Sequence, residues 1–439
     1  MSRECYHRDQ SRGTAITHFS HVRRAGALLF PAFFCLLSAV CSGQDVLCSA
    51  GFGTFDAKST TGVTLSVGAV KDEGFARRVC EAKLTWDKND LLVEGRAWQV
   101  DVDLMGADLG FGAPVAALQI RKADVDPLMT YEIYSLSKPP RKLRSITGGD
   151  SYSAADTNLD GQIEIWTSDA AAVNGFEGIP LSALDFAPAI ALRFDHHRLL
   201  DVSAEFPSHY DRQIAAVRAQ LDAEQLSAFR SSNGTLSSKS PVPMSELRSL
   251  RSTEIKVLEI VWSYLYSGRE QEAWQALTDM WPSADYDRIR AAIVKARGRG
   301  IGKEVDGVSS ATTASSRKKK VMIYDRLTET AGVDGGPVSV VNETGGPDDK
   351  MKAFQADTQP RPIFFRRPPP PAGAPADALT TEVVVNMVID SAGKVWSIKT
   401  EGKPDKDIIE ASAEWKFVPA LKGGRPVASR LRLGVTPSQ

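Results

Sequence analysis

The stretch Asp156-Thr157-Asn158-Leu159-Asp160-Gly161-Gln162-Ile163-Glu164 carries side-chain oxygens at its first, third, fifth and ninth positions and a glycine at its sixth. A hard cation such as Ca²⁺ collects about six to eight oxygens at roughly 2.3–2.6 Å. Asp156, Asn158 and Asp160, alternating around a sharp turn at Gly161, could deliver several of them together. The backbone carbonyl of Gln162 and the carboxylate of Glu164 would add to the shell. The role expected is structural rather than catalytic, because no nucleophile or general base stands beside the loop in sequence. An EF-hand needs a bidentate Glu at position twelve; here that residue is Thr167, and Ile163, Ile165 and Trp166 read as a strand. The competing reading is an Asx-rich β-turn that satisfies its own backbone.

Other chemistry is thin. The chain has no Walker loop, no Gly-x-Ser-x-Gly, no His-Glu-x-x-His and no Cys-x-x-Cys pair, so no enzyme is expected. His196, His197 and His209 lie near Asp195 and Asp201, but adjacent histidines on a hairpin point to opposite faces, which argues against a zinc site. Lys plus Arg number 53 against 54 for Asp plus Glu. That balance excludes binding nucleic acid through bulk positive charge.

The loop needs a scaffold, and 439 residues are enough for about three domains. Residues 44–207 read as a β-rich domain. Val63, Leu65 and Val67 alternate with polar residues, as do Cys80, Ala82, Leu84 and Trp86. Ala189–Phe194 and Leu199–Val202 flank a tight turn at His196-His197. Such strands with Gly-rich joints suggest a sandwich. Residues 208–297 switch to helical period, with a helix-Gly-helix step at Gly268. One helix pair of this kind cannot stand alone, so it is expected to pack on the β domain. Residues 298–375 are rich in Pro and Gly, with a basic cluster at Arg317–Lys320 and one short strand expected at Val321–Tyr324; the segment reads as a disordered linker. Residues 376–439 form a compact strand–turn–strand–helix–strand pattern, its helix opened by Pro404 and Asp405. The expected class is therefore multidomain α+β.

Residues 1–43 read as a secretory signal. Arg23 and Arg24 precede the uncharged apolar run Ala25–Val40, and small residues follow. Export implies the periplasm or secretion, or anchorage in the inner membrane if the segment stays uncleaved. Cleavage would leave Cys48 and Cys80 as a pair in an oxidising compartment, where a disulfide closing about 30 residues is expected.

Two resemblances add to this reading. The C-terminal segment resembles the C-terminal domain of the TonB family. The residues that carry it are Gly393 in the first turn, Trp415 ending the helix, Lys416-Phe417-x-Pro419-Ala420 after it, and Gly424, Pro426 and Val427 before the last strand. The resemblance covers about 60 residues and implies a small ββαβ fold. It also implies a partner: an outer-membrane receptor, or another envelope protein, held by strand-edge pairing. The family's Pro-x-Tyr-Pro motif has its nearest counterpart at Gln359–Phe364, without the Tyr. The family's anchor helix carries a His, and Ala25–Val40 has none, which counts against coupling to the inner-membrane motor. The loop Asp156–Glu164, in turn, is similar to the calcium hairpins of FG-GAP and integrin-type repeats. A secreted Ca²⁺-dependent β scaffold is the rival functional reading.

Overall fold

In the computed structural model the described residues are 47–72, 78–236, 243–309, 356–365, 383–401 and 406–435. The expected signal, the basic cluster at Arg317–Lys320, the strand expected at Val321–Tyr324 and the helix opening at Pro404 and Asp405 lie outside them. The described residues fall within one compact unit, Gly43–Gln439. The chain is mixed α+β and largely antiparallel, with eight α-helices among the described residues.

Nine strands come first: β1 Leu47–Ser49, β2 Phe55–Lys58, β3 Thr64–Lys71, β4 Arg78–Trp86, β5 Asn89–Ala97, β6 Gln99–Ala107, β7 Val115–Arg121, β8 Met129–Ser135 and β9 Arg141–Gly149. They form a four-stranded sheet, β2-β3-β4-β5, and a five-stranded sheet, β1-β6-β7-β8-β9. One face of the second sheet packs on the first, with Leu65, Ala82 and Leu84 meeting Val100, Leu118 and Ile120. Its other face, through Val115, Ala117, Tyr131 and Ile133, belongs to a second core. A strand buried on both faces has no polar side to show, which is why Val115–Ile120 reads as a near-continuous apolar run.

Cys48 in β1 and Cys80 in β4 are both fully buried and disulfide-bonded, tying the two sheets together across a separation of 32 residues. Reducing the bond, or replacing both residues with alanine, is expected to cost about 3 kcal/mol. Urea unfolding with and without reductant checks this.

The second core continues into β10 Tyr152–Ala155, β11 Glu164–Ser168, the short helices α1 Ala170–Val173 and α2 Leu181–Leu184, then β12 Ala189–Asp195 and β13 Arg198–Asp201. The β12–β13 turn holds His196 at φ 48° and His197 at φ 69°. Two consecutive left-handed residues are what a two-residue hairpin needs to match strand twist. The helices follow: α3 Pro207–Ala219, α4 Ala223–Arg230, α5 Met244–Tyr266, α6 Glu270–Met280 and α7 Tyr286–Arg297. Gly268 (φ 76°) ends α5 with a pair of reverse bonds, Gly268 N–H to Leu265 O and Arg269 N–H to Tyr264 O. Only a left-handed residue closes a helix this way. Trp262, Leu277, Trp281 and Ile289 join Ile165, Leu192 and Tyr131 in one core, so β and helical stretches share a single interior.

The expected linker begins later than residue 298. A 3-10 turn runs from Ile301 to Glu304, and β14 Gly307–Val308 pairs in parallel with β13. It is also interrupted, because β15 Arg361–Phe364 is a strand. The C-terminal module then comprises β16 Val383–Ile389, β17 Val395–Thr400, α8 Lys406–Ser412, β18 Lys416–Val418, β19 Ala420–Lys422, β20 Arg425–Val427 and β21 Ser429–Val435. Its sheet order is β17-β16-β21, and Ile408, Trp415 and Phe417 pack on Val385, Met387 and Ile398. Among the described residues no helix is long and apolar enough to cross a membrane.

One buried charge in the helical region sets a pH dependence. Glu254 on α5 is 3% exposed, and its Oε2 accepts no hydrogen bond. Burial pushes its carboxyl up to about 7; Glu177 and Asp285 add to the shift, while Arg251 and Arg288 oppose it. A raised carboxyl pKa gives stability that is present below the ordinary carboxylate range and lost as pH rises through the folded value. Glu254→Gln should therefore be neutral near pH 4 and stabilising at pH 8, by on the order of 2–3 kcal/mol. Urea midpoints at the two pH values check it.

Candidate functional site

The loop 156–164 joins β10 to β11, and the ladder Ala155↔Glu164 fixes both of its ends. Leu159 (φ 57°) and Gly161 (φ 85°) make the turn. Within it, Asp160 N–H donates to Asn158 Oδ1 at 3.0 Å and Gln162 N–H donates to Asp160 Oδ1 at 2.8 Å. Thr157 N–H donates to Glu164 Oε2 at 3.1 Å, and Gly161 N–H donates to Asp156 Oδ2 at 3.0 Å. The sequence expectation thus brings Asp156, Asn158, Asp160, Gln162 and Glu164 onto one loop. Much of its polar capacity is spent on its own backbone, as the Asx-turn reading anticipates.

Two of these carboxylates are not on the surface. Asp156 and Glu164 are both 0% exposed. Burial raises Asp156 to about 7, with the charges of Asp390 and Asp160 adding to it and the Ser391 hydroxyl and Gly161 N–H opposing. Burial raises Glu164 to about 8, with Asp160 and Asp156 adding and the Thr157 N–H and Arg193 opposing. Arg193 lies 3.4 Å from Glu164 but pairs in two-pronged fashion with Glu205, at 2.7 and 2.9 Å. Among the described residues, no three His, Cys, Asp or Glu side chains already stand arranged as a metal's ligand set.

The residue that sequence reasoning missed is Asp390, the first residue of the β16–β17 turn. It is 1% exposed, and burial lifts its carboxyl to about 6 against the opposing N–H groups of Lys394, Asp156 and Ala392. Its Oδ1 accepts the Ala392 and Lys394 N–H groups, which shapes the turn. Its Oδ2 accepts the Asp156 N–H at 2.9 Å, and the Ser391 hydroxyl donates to Asp156 Oδ2 at 2.8 Å. Trp396 Nε1 donates to Thr157 O at 3.4 Å. The acidic loop and the module's first turn are therefore one hydrogen-bonded cluster.

A second anchor lies beside it. Lys394 Nζ reaches Asp103 Oδ1 at 2.6 Å, and Tyr131 OH and Ala154 N–H donate to Asp103 Oδ2 at 2.6 and 2.9 Å. Burial alone would raise Asp103, but Lys394 and Lys416 outweigh it and hold the carboxyl below its ordinary value. Lys416 Nζ donates to Val102 O and stands 3.7 Å from Asp101 Oδ1. The sequence signal for this anchor was present in Gln99-Val100-Asp101-Val102-Asp103, where acids alternate with apolar residues along a strand buried on both faces.

The motif residues of the module separate into three environments. Trp415 and Phe417 are core, with Trp415 stacked on Phe365 at 4.1 Å. Pro419 follows β18, and Ala420 opens β19 and is fully buried. Gly424 (φ 76°) makes the β19–β20 turn with Gly423 (φ 57°), and Pro426 and Val427 lie on β20. Gly393 (φ 82°) is obligatory, because a Cβ there would meet Phe417 O at 1.9 Å. Of the basic positions, Lys416 turns to the β body rather than to the module's own core.

No protein-family model matches the chain, and neither the curated proteins nor the solved structures include a match.

Proposed function

We propose that the chain is an exported envelope protein whose TonB-like C-terminal module pairs, by strand addition at β21, with an extended segment of an outer-membrane receptor or another envelope protein. The observation that carries this is the sheet order β17-β16-β21: among the described residues no strand lies beyond β21. Leu431 and Leu433 line its inner face, so an added strand would extend an apolar floor. Strand addition relies on backbone groups, which suits a chain with few reactive side chains.

Cysteine placed singly at each of residues 429–435, followed by disulfide trapping with a cysteine-bearing peptide from the N-terminal end of a receptor plug, tests the proposal. Trapping with a period of two along the strand is the expected result. Uniformly absent trapping sinks it.

A second reading has its own support. The buried Lys394–Asp103 pair and the Asp156–Asp390 cluster bind the module to the β body, as a scaffold protein requires and a tethered arm does not. On that reading the acidic loop holds a structural Ca²⁺, and the module is a fixed docking platform.

A further inference from the structure

A cleft of about 460 Å³ opens where α6, α7 and β14 meet, a size within the range of small-molecule sites. Its floor is apolar, with Ile190, Leu265 and Ile293 buried there. Trp274 forms a wall and is held in place, because its Nε1 donates to Glu270 Oε1 at 3.0 Å and the Arg290 guanidinium stands 5.0 Å over its ring. One buried carboxylate fixes the opposite side. Asp169 is fully buried, and its Oδ2 accepts the Tyr266 hydroxyl at 2.7 Å and the Ile301 N–H at 2.9 Å. Those bonds pin Tyr266 and the 3-10 turn that carries Lys303. Gly300 permits the approach, since a Cβ there would meet Asp169 Oδ2 at 2.1 Å.

The charges that line this cleft are unequally served. Its two carboxylates have donors: Glu270 takes the Trp274 indole N–H, and Asp201 Oδ1 takes the Ser203 N–H at 2.9 Å. Its two cations lack acceptors. Arg297 lies 5.6 Å over the Tyr266 ring, yet neither Arg297 nor Lys303 makes a hydrogen bond or an ion pair with a described residue. The unmet capacity of the cleft is therefore for an anionic acceptor. We propose that it binds a small amphipathic carboxylate, with the apolar body against Trp274 and Val294 and the anionic head on Arg297 and Lys303. The planar fork of a guanidinium matches the two oxygens of a carboxylate, and an ammonium adds a point charge beside it. Val294 and Val308 are both exposed and carry the apolar surface out to the mouth, which suits a tail longer than the floor. An alcohol would meet the same apolar walls without matching the charge, and an amine would add a third cation. This goes beyond strand addition at β21 and does not depend on it.

The test is titration calorimetry on the full chain with three probes of one shape: phenylbutanoate, phenylbutanol and phenylbutylamine. Phenylbutanoate should bind about tenfold or more tighter than the alcohol, the worth of a charge-assisted hydrogen bond, and the amine should bind weakest. Arg297→Gln should weaken phenylbutanoate about tenfold and leave the alcohol unchanged. Lys303→Gln, a change at an exposed side chain on a surface turn, should act in the same direction without endangering the fold. Gly302→Leu should weaken the acid and the alcohol together by filling the mouth. The fold tolerates that change, because a Cβ at Gly302 meets nothing nearer than Arg297 O at 4.0 Å. Three results overturn the proposal. One is no binding of any probe. Another is an acid bound no tighter than the alcohol or the amine. The last is acid binding indifferent to Arg297→Gln and Lys303→Gln, or to Gly302→Leu.

Discussion

Lys394→Met is expected to cost about 3–5 kcal/mol, the magnitude seen when one member of a buried ion pair is removed. Asp103 is 2% exposed and would keep its charge against Tyr131 OH, the Ala154 N–H and the remaining charge of Lys416. The two hydrogen-bond donors are neutral, and Lys416 is engaged by Val102 O and Asp101. The loss should therefore exceed that of a surface pair by several-fold. Asp103→Asn in the same chain should recover much of it, since an amide oxygen can still accept from Tyr131 while carrying no charge. Urea unfolding of the parent, both single variants and the double variant gives the coupling energy. If the single changes simply add, the pair is not acting as a unit.

Gly393→Ala should be comparably severe. The residue sits at φ 82°, where an L side chain is strained, and its Cβ would fall 1.9 Å from the Phe417 carbonyl, which cannot move without breaking the bond from Phe417 N–H to Gly393 O. Strain and a lost hydrogen bond together predict a loss of about 3–5 kcal/mol. The same turn carries Asp390, Ser391 and Lys394, so the damage should spread to the β body. Loss of the Trp396 fluorescence environment before global unfolding would show this. Gly424→Ala is the control: it has the same sign of φ, but nothing stands within 4 Å of the added carbon, so only backbone strain remains.

What could be read from the chain in advance was local. The alternation of Val63, Leu65 and Val67, the Gly268 helix stop and the β16–β17–α8 succession each depend on neighbours in sequence, and each is written in side-chain period or in a residue that alone tolerates a left-handed backbone. The loop 156–164 was legible for the same reason. Its partner was not, because Asp156 and Asp390 stand 234 residues apart and nothing near either one encodes the other. Layering was hidden too. The run Val115–Leu118 looks apolar whether it is covered by one sheet or by two. The boundary near 298 was misread because Gly and Pro dominate composition even where strands exist; β15 holds Pro362 opposite Phe417 in a two-stranded ladder, a position where a missing N–H is tolerated.

That short strand has a consequence for inheritance. Phe364 lies in the core of the first two sheets, and Arg361–Phe364 pairs with Lys416–Val418 of the last module. Ala392, from the module's turn, sits in the other core. A gene rearrangement that transferred residues 376–439 alone would leave the transferred Lys416–Val418 edge without β15, and would leave the donor's β15 without its partner strand and its second core without Ala392. The chain's end is stitched through its beginning, so recombination can move the whole but not the part, and homologous chains should gain or lose the segments from Leu47 to Val435 together.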